Sequence, residues 1–87
     1  MAFQTNSHRE DLNLMRAIVL LDQAAAHLHD RDFRHAVQLS ERAIMLLYAS
    51  ARRVRSDEHK MAINKELRRA RMITRQAIAS LGLNGFF

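Results

Sequence analysis

The chain has no cysteine, no proline and no tryptophan, and only two glycines, Gly82 and Gly85, in 87 residues. Without cysteine there is no disulfide framework and no thiolate metal centre or thiol chemistry, which fits a reducing compartment. Without proline, and with both glycines near the C-terminal end, little interrupts a helix before residue 82, so the expected fold is all-α. Long apolar runs are missing too. No stretch approaches the roughly 18 apolar residues of a membrane span, and residues 1–20 lack the basic start, apolar run and small-residue cleavage site of a secretory leader. The expectation is a soluble, cytoplasmic chain with no membrane span. At 87 residues it should form one domain over 1–87, near the lower limit for burying a useful core and with little room for a deep substrate cleft.

What is present is helical periodicity. Ser7-His8-Arg9-Glu10 has the Ser-x-x-Glu spacing of a capping box, and Asp11 adds negative charge to what should be a first turn, so helix 1 is expected over about 8–29. Leu14, Ile18, Leu21, Ala25 and Leu28 then recur at alternating four and three along one face. Asp32 suits the N-cap of a second helix over 33–55, with a seam of Phe33, Val37, Ser40, Ile44, Leu47, Ala51 and Val54. Helix 3 is expected over 57–81, with Asp57 and Glu58 in its first turn, a seam of Ile63, Leu67, Ala70, Ile73, Ala77 and Leu81, and Gly82 as its stop. A three-helix antiparallel bundle follows. The competing arrangement is a helical hairpin whose long second helix offers two faces to different chains in a homodimer. Phase argues for a break near Ser56: Val54 and Ile63 would face opposite sides of a continuous helix turning about 100° per residue.

Charge is uneven. Residues 52–75 hold nine of the fourteen basic side chains against three acids, so this segment supplies the whole positive excess of a chain with net charge +5. Asn64, Arg68, Arg71 and Arg75 form a stripe beside the apolar seam of helix 3. Such a stripe suits an acidic protein or peptide partner, while a solvated face that keeps a small bundle soluble is the plain alternative. Nucleic acid is a further option because arginine binds phosphate well, but the stripe lacks interleaved aromatics for base stacking and no helix-turn-helix spacing is apparent.

His27, His29 and His35 flank the first corner with Asp30 and Asp32, a side-chain set suited to zinc or nickel. His27 and His29 lie about 200° apart on a helix, so one ion cannot easily gather both, and the histidines read as polar surface groups with no metal. Arg53 and His59, with five residues between them, resemble the arginine-histidine motif of HEPN-type helical ribonucleases. No further polar constellation accompanies that pair in the segment. A Gly-rich phosphate loop, paired inward carboxylates and a Ser-His-Asp arrangement are all lacking, so no catalytic residue and no cofactor is assigned, and the chain reads as non-enzymatic.

Asn13-Leu14-Met15-Arg16-Ala17-Ile18, Gln23-Ala24-Ala25, Asp32-Phe33-x-x-Ala36-Val37-x-Leu39 and Ala43-Ile44 together resemble the first two helices of MIT (microtubule interacting and trafficking) domains. Leu67-Arg68-Arg69-Ala70 resembles a segment of that family's third helix, so the likeness covers roughly 13–81. The Phe33, Ala36 and Ala43 spacing also resembles a tetratricopeptide hairpin, where small residues serve the same close packing. Two positions depart from the MIT pattern: Arg31 stands where a corner glycine is common, and Ser40 replaces a frequent large or aromatic residue. The resemblance implies a non-enzymatic protein-protein interaction module, an adaptor that receives an acidic amphipathic helix or tail, often between helices 2 and 3. On this chain that groove would comprise Ala43, Leu46 and Ser50 with Met61, Leu67, Arg68, Arg71 and Arg75. The alternatives are a small basic helical protein that binds nucleic acid, and a homo-oligomeric assembly or secretion-chaperone subunit. The tail over 82–87 ends in Phe86-Phe87, two side chains expected to fold back on the bundle or to anchor a partner or second copy.

Overall fold

Three helices, α1 (Leu12–His29), α2 (Phe33–Ala51) and α3 (Asp57–Gly85), fill the computed structural model, which describes residues 11–85. Among the described residues there is no strand, and no helix is long and apolar enough to cross a membrane. The Ser7–Glu10 capping box and the Phe86-Phe87 pair lie outside the described residues. Helices α1 and α2 form an antiparallel hairpin. α3 then returns along α2, running parallel to α1 in a register marked by Asp11 beside His59 and Asp22 beside Arg69, separations of 48 and 47 residues. The result is the three-helix bundle expected from periodicity.

The core is built largely from small side chains. Ala17, Ala24, Ala36, Ala43, Ala70 and Ala77 are all fully buried, interleaved with Leu14, Leu21, Leu47, Ile63, Leu67 and Ile73. On α1 and α2 the most buried line lies on the small-residue edge of the expected seam: Leu14, Ala17, Leu21 and Ala24 face Ala36, Ser40, Ala43, Leu47 and Ser50. Ile18, Ala25, Leu28, Phe33, Val37 and Ile44 pack around that line with partial exposure. The physical reason is close approach: where helix axes come nearest only small groups fit between them, and these lose all contact with water. Ser40 does not leave a hollow. Its hydroxyl lies 2.7 Å from Thr74 Oγ1 on α3 and also donates to the Val37 carbonyl, while Thr74 reaches the Ala70 carbonyl. Two hydroxyl protons serve these three contacts, so the pair stays satisfied in more than one arrangement.

Helix ends differ from expectation in four places. α1 begins at Leu12 because Asp11 has extended backbone and caps the helix from outside, accepting from the Leu14 N–H at 3.0 Å. Asp32 stands at the N-cap of α2 but makes no side-chain cap bond, since its carboxylate faces His27 and His35. α2 ends at Ala51, four residues early, with Arg52 and Arg53 donating their N–H groups to the carbonyls of Tyr48 and Ser50. Ser56 then starts α3, its hydroxyl accepting from the His59 N–H and its carbonyl from Lys60, so the break expected there is real. Gly82 does not stop α3: no glycine adopts positive φ, and the helix runs 29 residues to Gly85. A terminating glycine works by turning left-handed, and this one stays helical.

The corner between α1 and α2 makes the opposite choice. Arg31 takes φ 64°, the left-handed conformation that glycine enters without penalty. Around it the Asp32 N–H reaches the His27 carbonyl at 2.8 Å and the Arg31 N–H reaches Leu28 at 3.1 Å, the paired bonds of a Schellman ending. Arg31→Gly should therefore raise stability by about 0.5–1 kcal/mol, and Arg31→Val should lower it by at least about 1 kcal/mol, in urea unfolding followed by circular dichroism. Gly82→Ala, where an added Cβ meets nothing within 4 Å, should stabilise by about 0.5 kcal/mol in the same assay.

Candidate functional site

At the end of the bundle where α1 begins, α2 ends and α3 begins, one carboxylate gathers all three helices. Asp11 Oδ1 accepts from the Leu14 N–H and from the Ser50 hydroxyl at 2.7 Å, and Oδ2 lies 2.7 Å from His59 Nε2. The side chains of Asp11 and His59 are each 13% exposed, and Ser50 is buried. Burial works to raise the Asp11 pKa, but the hydrogen bonds from Leu14, Ser50 and His59 and the charge of His59 outweigh it and hold the carboxyl below its ordinary value. Asn13, Arg16 and Arg53 complete the walls of a polar cleft over this network. Arg53 and His59 thus share one cleft, with a polar constellation from α1 that their local segment does not contain.

Beside the cleft lies an apolar groove of about 510 Å³ lined by Leu12, Met15, Arg16, Val19, Leu20 and Gln23 of α1 and Leu46 of α2. Leu12 and Arg16 border both. Leu12, Met15 and Val19 are 61%, 45% and 54% exposed, far more than large aliphatic residues need be on a packed hairpin. Their i, i+3, i+7 spacing puts them on a face of α1 distinct from the buried Leu14, Ala17, Leu21 and Ala24.

The residues assigned from sequence to a groove between helices 2 and 3 do not form one surface. Ala43, Ser50 and Leu67 are buried in the core and inaccessible to a docking segment. Leu46 turns toward α1 and lines the apolar groove. Met61 and Arg68 border a shallow depression with Ala62, Asn64 and Lys65, while Arg68, Arg71 and Arg75 border another with Met72 and Gln76. The arginine stripe is therefore real and exposed along α3, and Arg71 also donates to the Tyr48 hydroxyl at 2.9 Å. Arg69 faces the other way. It pairs with Asp22 of α1 at 2.7 Å and lies 3.6 Å from Glu66, whose buried Oε1 has no hydrogen-bond partner.

Leu12 and Val19 fall off the main seam of α1, so its periodicity does not single them out. The available signal was a second apolar line on α1, Leu12, Met15 and Val19, beside the first. Asp11 was placed inside the first turn, and nothing local to it reveals Ser50 or His59 as partners.

Because its folded-state pKa is depressed, Asp11 contributes stability above the unfolded value of 3.8, and this is lost as pH falls through the lower folded value. Thermal unfolding should therefore show a midpoint that drops below about pH 4, with a shallower drop in Asp11→Ala. At pH 7 that variant should lose about 2 kcal/mol from the missing cap and the two cut links to Ser50 and His59. In comparisons with known proteins, the chain matches no protein-family model, no curated protein and no solved structure.

Proposed function

We propose that this chain is a non-enzymatic interaction module that receives an acidic amphipathic helix of a partner protein in the α1/α2 groove. The observation that carries this reading is that an apolar groove and a basic-rimmed cleft lie side by side and share Leu12 and Arg16 in their walls. An amphipathic helix needs an apolar trough for its leucines and cations for its carboxylates, and the adjoining groove and cleft supply both. Arg16 and Arg53 stand at the cleft end, and the Asp11 charge beneath them is already engaged by Ser50 and His59. The adaptor role implied by the resemblance to MIT domains is kept, but with a different pair of helices. Single modules of this kind bind weakly and gain strength when several act together.

The test is a display screen of helical peptides bearing leucines at i, i+3 and i+7 with flanking glutamates, followed by NMR titration of the selected sequence. Shifts should concentrate at Leu12, Met15, Val19, Leu46 and Arg16. Val19→Glu and Arg16→Glu should each weaken binding by about tenfold or more, near 1.4 kcal/mol, while Arg68, Arg71 and Arg75 changed together to glutamate should leave it unaltered. Selection of no peptide, or a response centred on the α3 arginines, rejects the groove.

A second reading is favoured by the convergence of Arg53 and His59 over Asp11. A carboxylate that orients an imidazole beside an arginine is an arrangement suited to phosphodiester cleavage. If the chain cuts single-stranded RNA, Arg53→Ala and His59→Ala must each remove the activity. Intact RNA after prolonged incubation with the purified protein excludes this reading.

A further inference from the structure

The far end of the hairpin from the Asp11 cleft holds a second cluster. His27 lies in the last turn of α1, Asp32 precedes α2 and His35 lies in its first turn, and the ligand-type atoms of all three lie within 4.8 Å of one another. Asp32 Oδ2 is 3.1 Å from His27 Nδ1 and 2.8 Å from His35 Nδ1, so both imidazoles aim the same ring nitrogen at one carboxylate. The two rings are stacked with centroids 5.1 Å apart and planes inclined by 26°. From these contacts we propose that the corner is a binding site for a divalent transition metal ion, zinc foremost, ligated by His27 Nδ1, His35 Nδ1 and a carboxylate oxygen of Asp32.

The chemistry of the donors and their spacing both suit zinc. Two neutral imidazoles and a carboxylate form a three-ligand set that leaves the fourth tetrahedral position to water. Bonds of about 2.0–2.1 Å in tetrahedral geometry require donors about 3.3 Å apart. The two contacts to Asp32, at 3.1 and 2.8 Å, are shorter than that value by up to about half an ångström, and all the donor atoms lie within 4.8 Å of one another, so small movements of the carboxylate and the two rings bring the set around one ion. The backbone prearranges the set: the Asp32 N–H is bonded to the His27 carbonyl, and the left-handed Arg31 between them makes that bond possible. His29 is exposed on another side of α1 and takes no part. The exposed Arg31 and Arg34 add positive charge at the corner, offset by Asp30 and Asp32.

Zinc binding at each Nδ1 leaves the neutral imidazole in the tautomer with its proton on Nε2, and three coordinate bonds replace the hydrogen bonds to Asp32 across the corner. It therefore ties the last turn of α1 to the first turn of α2, as a clamp on the hairpin rather than a catalytic centre.

Calorimetric titration with zinc chloride at pH 7.5, paired with the visible spectrum of the cobalt(II) form and with thermal unfolding, tests the site. The expected result is one ion per chain, a tetrahedral cobalt spectrum and a thermal midpoint raised by several degrees, with affinity reduced at least tenfold in His27→Ala, Asp32→Asn and His35→Ala. His29→Ala should bind like the parent. Circular dichroism of each variant separates lost ligation from lost folding, and the exposed position of His35 makes His35→Ala the decisive substitution. No binding at 100-fold molar excess, binding unchanged in His35→Ala, or half an ion per chain with dimers in light scattering would each overturn the intrachain clamp.

Discussion

The carboxylate of Asp11 is the point at which the three helices become one structure. One oxygen both starts α1, through the Leu14 N–H, and takes the Ser50 hydroxyl near the end of α2, while the other takes His59 in the first turn of α3. A helix N-terminus carries unsatisfied N–H groups and partial positive charge, so an acidic cap is favourable there even in isolation. Sharing that cap with two other helices converts a local stabilisation into a tertiary one. It also helps to fix the register in which α3 lies along α1.

Alanine packing sets the second constraint. Ala17, Ala24, Ala36 and Ala43 let α1 and α2 approach closely, and Ala70 and Ala77 do the same for α3. Close helices bury small groups completely but leave larger aliphatic side chains around the line of contact, where many keep partial exposure. The hairpin therefore has apolar surface to spare. Leu12, Met15 and Val19 on α1 form the part of it that adjoins the cleft, and that adjacency gives the groove its amphipathic character. The bundle is asymmetric along its length as well: after the fully buried Ala77, Ile78 is 52% exposed, and α3 continues to Gly85 past the end of α1.

Both ends of the hairpin use an aspartate at a helix start with histidine partners, in different ways. Asp11 is mostly buried and caps its helix, whereas Asp32 is more open and gives up the cap bond to meet two imidazoles. At Asp32 the hydrogen bond from His35 is the main influence, and its carboxyl too is held below the ordinary value. The difference follows from surroundings: Asp11 has helices on two sides, while Asp32 sits at a tight corner with solvent around it.

Helix number, the order of the elements, the break at Ser56 and the seam of α3 were legible in the sequence, because each depends on neighbours within a turn or two. The Ser56 cap and the phase change between Val54 and Ile63 are local facts, and Ile63, Leu67, Ala70, Ile73 and Ala77 are buried as their spacing required. The candidate sites were not legible in the same way. Arg53 and His59 were visible as a pair, but Asp11 meets His59 and Ser50 across separations of 48 and 39 residues. His27 was separated from His29 by helical phase, yet a left-handed corner turns His27 toward His35, which no helical period describes. The sequence by itself determined three amphipathic helices and their order, since side-chain periodicity and caps act over a few residues. Only the tertiary structure decided which face of each helix was closed by a neighbour and which polar groups met, since those outcomes depend on how closely and in what register the helices approach.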